Sequence, residues 1–251
     1  MYGFSRCGIK QDEPKMEVNK VLAIGAHPDD VELGCGGALA LFRQAGTQVV
    51  IASMARGDKG SRELSTEETV RVRREESERA AQVIRAAFTS LGLSDSEIFE
   101  DLENRTRVIE LLRETQPEVV ITHSPTDYHA DHRITAHLVG DAAYLSTSFK
   151  FKTKHPPLSR FPIVYHMDNY LGVGFEPEEY VDISQVIDTK KEMILQHKSQ
   201  LAHLQQRAGE DVLDDMLVLA RLRGKQSGVD YAEGFRLHRT WPHIRTQRVL
   251  P

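Results

Sequence analysis

A chain of 251 residues with 40% apolar content can bury one core, and a single α/β domain suits that size. Its 32 basic and 37 acidic residues leave a formal charge of −5, so composition implies no electropositive surface for nucleic acid or an anionic membrane. Met1 to Lys20 are polar and mixed in charge, and no run of about 18 apolar residues occurs. The chain therefore reads as cytoplasmic, without a secretory leader or a membrane span. Two cysteines, Cys7 and Cys35, cannot build a disulfide framework.

Residues 1–18 read as a disordered or extended tail, and 19–251 as one domain. Val21-Leu22-Ala23-Ile24-Gly25 is a continuous apolar run, the signature of a strand buried on both faces. His27-Pro28-Asp29-Asp30 interrupts it. A helix is expected from Val31 to Gln44, stopped by Gly46, and a second strand over Val49-Val50-Ile51-Ala52. Strand, helix and strand in so short a span make a right-handed βαβ unit and predict a parallel sheet.

Ser65 and Glu68 form a capping-box pattern ahead of a helix expected to reach about Phe88. Ile98-Phe99 reads as a short strand, Thr106 to Thr115 as an amphipathic helix, and Glu118 to Thr122 as another buried strand. Further on, Ile163-Val164-Tyr165 and Tyr180-Val181 read as strands, with helices over Ser184 to Leu204 and Asp211 to Leu222. The alternation predicts a three-layer, Rossmann-like α/β fold: a mostly parallel sheet with helices on both faces.

In such sheets ligands bind beyond the carboxyl ends of the strands. Two histidine-rich loops fall there: His27 to Asp30 after the first strand, and Tyr128-His129-Ala130-Asp131-His132 after the strand that ends near His123. An ion that activates water usually takes three protein ligands and leaves a position open. His27, Asp30 and His132 supply two imidazoles and a carboxylate. Asp29, free between two ligands, suits a general base that takes a proton from the activated water and passes it to the leaving amine. His129, if protonated, suits stabilisation of an oxyanion, with Asp131 holding and charging it.

Each motif alone has a plainer reading: His-Pro-Asp-Asp as a turn and helix start, His-x-Asp-His as surface loop. Their joint position at the ends of two buried strands favours a metal site. Cys35 reads as a small buried side chain. Gly34, Gly36 and Gly37 are not a dinucleotide loop, because Gly-x-Gly-x-x-Gly does not follow the strand and two carboxylates occupy the pyrophosphate position. They suit close packing of the helix on the sheet.

Ala26-His27-Pro28-Asp29-Asp30-Val31-Glu32 together with His129-Ala130-Asp131-His132 resembles the signature of the LmbE-like, or PIG-L, family of zinc-dependent N-acetylglucosaminyl deacetylases, over roughly residues 19 to 250. The family includes bacterial enzymes of low-molecular-weight-thiol pathways. The resemblance implies zinc on His27, Asp30 and His132, with Fe2+ as an alternative in vivo, the base at Asp29, and His129 as electrophilic partner with Asp131 behind it. It implies a small-molecule N-acetylated amino sugar or glycoside as substrate and a homo-oligomer, hexamers being common among members.

Arg56, just after the second strand, is the candidate for substrate binding, against a solvated loop arginine. Arg74 and Glu75 read as helix-surface or structural ion-pair residues, His197 and Arg236 are open between subunit contact and substrate rim, and Glu233 has no assigned role. Some members place a mobile tyrosine two residues before the first histidine of the second motif; here Asp127 stands there and Tyr128 is adjacent. Two other functions fit the same residues. Two histidines and a carboxylate also describe non-haem Fe(II) enzymes, against which Asp29 argues. A non-catalytic sugar-binding protein could use the same pocket.

Overall fold

A computed structural model of the protein describes residues 17–209, 211–240 and 249–251. Its sheet has seven strands: β1 (Lys20–Gly25), β2 (Gln48–Ala55), β3 (Ala87–Leu93), β4 (Val119–Thr122), β5 (Ile163–Met167), β6 (Glu179–Asp182) and β7 (Ala232–Leu237). Their order is β3-β2-β1-β4-β5-β7-β6. The first five of these pair in parallel, and β7 runs antiparallel to both β5 and β6.

The apolar run of β1 is explained by its central place. Val21 and Ala23 point into one core with helix α1 (Asp30–Gln44), while Leu22 and Ile24 point into another with α3 (Leu102–Thr115) and α4 (Ala130–Leu145). Helices α2 (Thr66–Val83), α5 (Ile187–Leu195), α6 (Lys198–Ala208) and α7 (Val212–Ser227) complete the chain. The expected three-layer α/β architecture is the observed one. Of the expected tail, residues 1–16 lie outside the described residues, and Val18 packs into the first core.

Several boundaries differ from the sequence reading. The capping box of Ser65 and Glu68 is present, yet α2 ends at Val83 and Phe88 lies in β3. Ile98-Phe99 is loop, with Ile98 plugging the second core and Phe99 61% exposed. The helix expected over Ser184 to Leu204 is a short 3-10 turn followed by two helices, α5 and α6. The expected glycine packing is real: a Cβ on Gly34 would meet Met167 at 2.6 Å, and one on Gly37 would meet Ile183 at 2.6 Å.

Candidate active site

Strands β1 and β4 are hydrogen-bonded neighbours, so the loops from their carboxyl ends converge. His27, Asp30 and His132 each bring a ligand atom to within 4.8 Å of the others. Asp30 is the hub. Its Oδ2 accepts the His27 backbone N–H at 2.6 Å and lies 3.4 Å from His27 Nδ1, and its Oδ1 lies 3.4 Å from His132 Nε2.

The far nitrogen of each imidazole faces a carboxylate. Asp131 Oδ2 is 3.0 Å from His27 Nε2, and Asp127 Oδ2 is 3.2 Å from His132 Nδ1. A carboxylate behind a ligand histidine fixes its tautomer and aims the other nitrogen at the ion. Burial alone would hold both histidines neutral, but Asp131 and Asp30 push His27 up to about 10, and Asp30 and Asp127 push His132 up to about 9. Burial raises Asp30, and the charge of the neighbouring His132 outweighs it, holding the carboxyl well below its usual range.

His123, at the end of β4, is not a third imidazole ligand through Nε2. That atom accepts the Ala26 backbone N–H at 2.9 Å, so its lone pair is committed although Asp30 Oδ2 is only 3.1 Å away. Burial and the neighbouring His132 push His123 down to about 4, and its neutral ring stacks on His132 with centroids 3.8 Å apart. A lone pair facing a carboxylate oxygen is unfavourable unless a cation draws on that carboxylate. The donor set and this arrangement fit a divalent ion.

Asp29 is the N-cap of α1 but makes no capping hydrogen bond, because its backbone is left-handed with φ 105°. Strain of this kind in a non-glycine residue is sparsely populated and clusters at functional sites. The carboxylate is released from the helix end and lies 3.3 Å from Arg73 Nη2. Burial raises its pKa to about 6, with Arg73 pulling in the opposite direction.

Arg73 is 3% exposed, donates to the Pro28 carbonyl, and stands against Gly57 and Gly60, where a Cβ would come within 2.7 Å of it. Behind Asp29, His197 Nε2 lies 3.4 Å from Glu32 Oε1, both side chains 1% exposed.

His129 caps α4: its Nδ1 accepts the Asp131 backbone N–H at 3.2 Å. In the neutral ring the proton is then on Nε2. Burial and the charges of His132 and His27 lower its pKa, so it offers a neutral N–H rather than the expected imidazolium. An Asp131 carboxylate oxygen lies within 4.8 Å of a His129 ring nitrogen, and its charge acts to raise the pKa of that ring. That carboxylate accepts the Ser96 backbone N–H at 2.7 Å and meets His27, because the His129 ring already covers the start of the helix.

Arg56 forks onto Asp58 Oδ2, at 3.3 Å from Nε and 3.2 Å from Nη2, rather than onto the cluster. Tyr128 is 58% exposed, with its ring 6.3 Å from that of His132. Glu233, unassigned from sequence, is buried with Lys190 and accepts the Gly37 and Ala38 backbone N–H groups, at 2.8 Å each, just past the non-helical Cys35 in α1.

Sequence reasoning overlooked His123 and Asp127, although both lie on the same strand-to-helix loop as the second motif. The sequence reading assigned no role to Arg73.

The profile of PIG-L, GlcNAc-PI de-N-acetylase, matches residues 22–143. The diacetylchitobiose deacetylase of Thermococcus kodakarensis is 30% identical over 248 residues, 92% of this chain and 88% of that protein. The chain belongs to the PIG-L family.

The solved N,N'-diacetylchitobiose deacetylase of Pyrococcus horikoshii superposes on this PIG-L protein with a TM-score of 0.80 at 26% identity, covering 92% of this chain and 88% of that one. The 4-oxalmesaconate hydratase of Pseudomonas putida is also similar, 27% identical across 67% of this chain and 69% of its own. This chain is thus similar both to deacetylases and to a protein named for another reaction. The matched stretch holds His27 to Asp30, Arg73, His123 and Asp127 to His132, whereas the loop after β5 and helix α7 lie beyond it. No helix among the described residues is long and apolar enough to cross a membrane.

Proposed function

We propose that this protein is a zinc-dependent N-deacetylase that removes the acetyl group from an N-acetylated amino sugar or its glycoside. The observation that carries the reading is the Asp29 carboxylate, uncapped, largely buried and adjacent in sequence to Asp30. The similarity to two diacetylchitobiose deacetylases supports the substrate class.

His27, Asp30 and His132 would hold the ion, a set that suits zinc and also Fe2+. When bound, such an ion supplies water that ionises near neutral pH and polarises the scissile carbonyl. Asp29 takes the proton of the attacking water and delivers it to the departing nitrogen, a task that its raised pKa suits. Arg73 keeps that carboxylate oriented. His129 donates from Nε2 to the oxygen that gains charge, and Asp131 and Asp127 hold the two ligand imidazoles in register.

The reading extends to a cytoplasmic homo-oligomer acting on a small molecule, the last in keeping with the acetylated-sugar relatives.

The test is acetate release from N-acetylglucosamine, diacetylchitobiose and a panel of N-acetylglucosaminides, using protein stripped of metal and reloaded with zinc, iron or cobalt. Metal-dependent acetate release is expected. Fully loaded protein inert on every acetylated amine would overturn the reading. Loss of the ultraviolet absorbance of an unsaturated tricarboxylate such as 4-oxalmesaconate would then point to the chemistry named for the hydratase relative.

A further inference from the structure

Two surfaces, one at the start of α3 and one just after α4, carry opposite charge around exposed apolar side chains. Glu97 to Glu103 holds four carboxylates and no base, and it exposes Phe99 and Leu102, the latter by 66%. Phe149 to Lys154 holds three ammonium groups and no acid. Phe149, at 79%, is the most exposed large apolar side chain among the described residues. We propose that these surfaces are the two halves of one head-to-tail contact, in which the Phe149 loop of one copy of the chain docks on the acidic surface of the next. The proposal rests on the oligomer in the reading above and names its interface; its failure leaves the deacetylase chemistry untouched.

The basic half is firmly built. Arg113 of α3, 2% exposed, donates to the carbonyls of Ser146, Ser148 and Phe151 and to Thr153 Oγ1, at 3.0, 2.8, 2.9 and 2.7 Å. Phe151 packs against the second core. One buried guanidinium thus fixes the loop that displays Phe149, so docking orders little that is not already ordered. Lys150, Lys152 and Lys154 are exposed, and none has an ion-pair partner among the described residues.

The acidic half has a recess. A groove of about 470 Å³ runs along α4, where the apolar Pro125, Ala136, Tyr144 and Leu145 share it with the carboxylates of Glu100 and Asp141. Its imidazoles are already partnered: His166 Nε2 lies 3.0 Å from His238 Nδ1, and His137 Nδ1 lies 3.2 Å from Glu100 Oε2. Burial lowers His166 and His238, so neither opposes an incoming cation. Glu100 and Asp141 are 47% and 51% exposed. Lys59 neutralises Glu97, Arg107 neutralises Glu103 and Arg105 approaches Asp141, which leaves Glu100 and Asp101 to keep the surface negative. An aromatic knob entering an apolar recess, with opposite charges closing around it and excluding water, is the form that strong contact points take.

A second copy is the occupant that explains both surfaces. The formal charge of −5 over the whole chain opposes a polyanion, and a polyanion on the lysines would leave Phe99, Leu102 and the carboxylates uncovered. Phe149 stays exposed within its own chain, so the match is made between chains. Because the two halves differ, the contact is heterologous: copies related by a closing rotation form a ring, and otherwise a filament.

The experiment is sedimentation velocity of the full chain, as wild type and as two charge-reversed variants built at exposed positions. One carries Lys150→Glu, Lys152→Glu and Lys154→Glu; the other carries Glu97→Lys, Glu100→Lys and Asp141→Lys. Wild type should sediment as an assembly. Each variant alone should sediment as a monomer, because like charges then face each other. An equal mixture of the two should regain the wild-type mass, because every contact again pairs opposite charges, and this recovery also shows that both variants are folded. Phe149→Ser should raise the dissociation constant at least about tenfold.

A monomeric wild type, a reversed variant that stays assembled, or a mixture of folded variants that stays monomeric would overturn the proposal. If thermal melting shows a triple variant to be unfolded, Lys152→Glu and Glu100→Lys replace the pair, each expected to weaken assembly about tenfold alone and to restore it when mixed.

Discussion

Replacing Asp29 by Asn isolates the proposed base. The change is isosteric, and Asn tolerates the left-handed backbone that Asp29 adopts at φ 105°, where Ala would be strained. Arg73 loses one charged partner but keeps the Pro28 carbonyl and its 4.0 Å approach to Asp95, so the fold should survive.

A positioned general base contributes roughly 10²–10⁴ in rate, or about 3–5 kcal/mol of barrier. Acetate release should therefore fall by that factor, while metal content stays at the wild-type level. The pH profile supplies a second readout. A carboxyl raised to about 6 acts as a base only above that value, so wild-type activity should decline as pH falls through about 6, or somewhat lower once a bound cation favours the ionised form. The variant should lose this acid limb. A variant within tenfold of wild type that keeps the same limb would refute the role of Asp29.

Other parts of the account are open to measurement in the same way. In the metal-free protein His27 and His132 hold protons up to about 10 and 9, so metal uptake at neutral pH should release close to two protons, read by calorimetry in buffers of different ionisation enthalpy; uptake without release would contradict the ligand assignment. Asp127→Asn removes the carboxylate behind His132 and should weaken zinc affinity by roughly 10–100-fold in a chelator competition, with unchanged affinity counting against its role. Glu233→Gln leaves Lys190, 3% exposed, without its charge partner and should cost about 3–5 kcal/mol, lowering Tm by ~6–20 °C; a shift under 2 °C would show that the pair is not load-sharing.

The legible parts of the fold were those in which one strand or helix end carries its own signal. β1, β2 and β4 are continuous apolar runs because each is covered on both faces, and α2 announces its start with a capping box. Its end was hidden: the left-handed residue that follows is Arg85, at φ 54°, not a glycine, so the apolar spacing runs on into β3. α4 was hidden for a similar reason, since its cap is the imidazole of His129. β7 carries the buried Glu233, whose partners Lys190, Gly37 and Ala38 come from distant segments, and no local pattern marks it as an inner strand.

The site divides likewise. His27, Asp30 and His132 were readable because short motifs at strand ends imply convergence. The roles of His123, Asp127 and Arg73 depend on which atom faces which across the sheet. Asp131 bonds to His27 and the Ser96 backbone, contacts that no local sequence pattern announces, because a helix start places side chains by geometry and not by proximity in sequence.

The most direct test of the central claim is an anomalous diffraction map at the zinc edge from crystals of zinc-loaded protein, paired with elemental analysis. One zinc per chain, with a single peak within bonding distance of His27, Asp30 and His132, is the predicted result. A peak elsewhere, or a loaded protein with no peak between those three side chains, would contradict it.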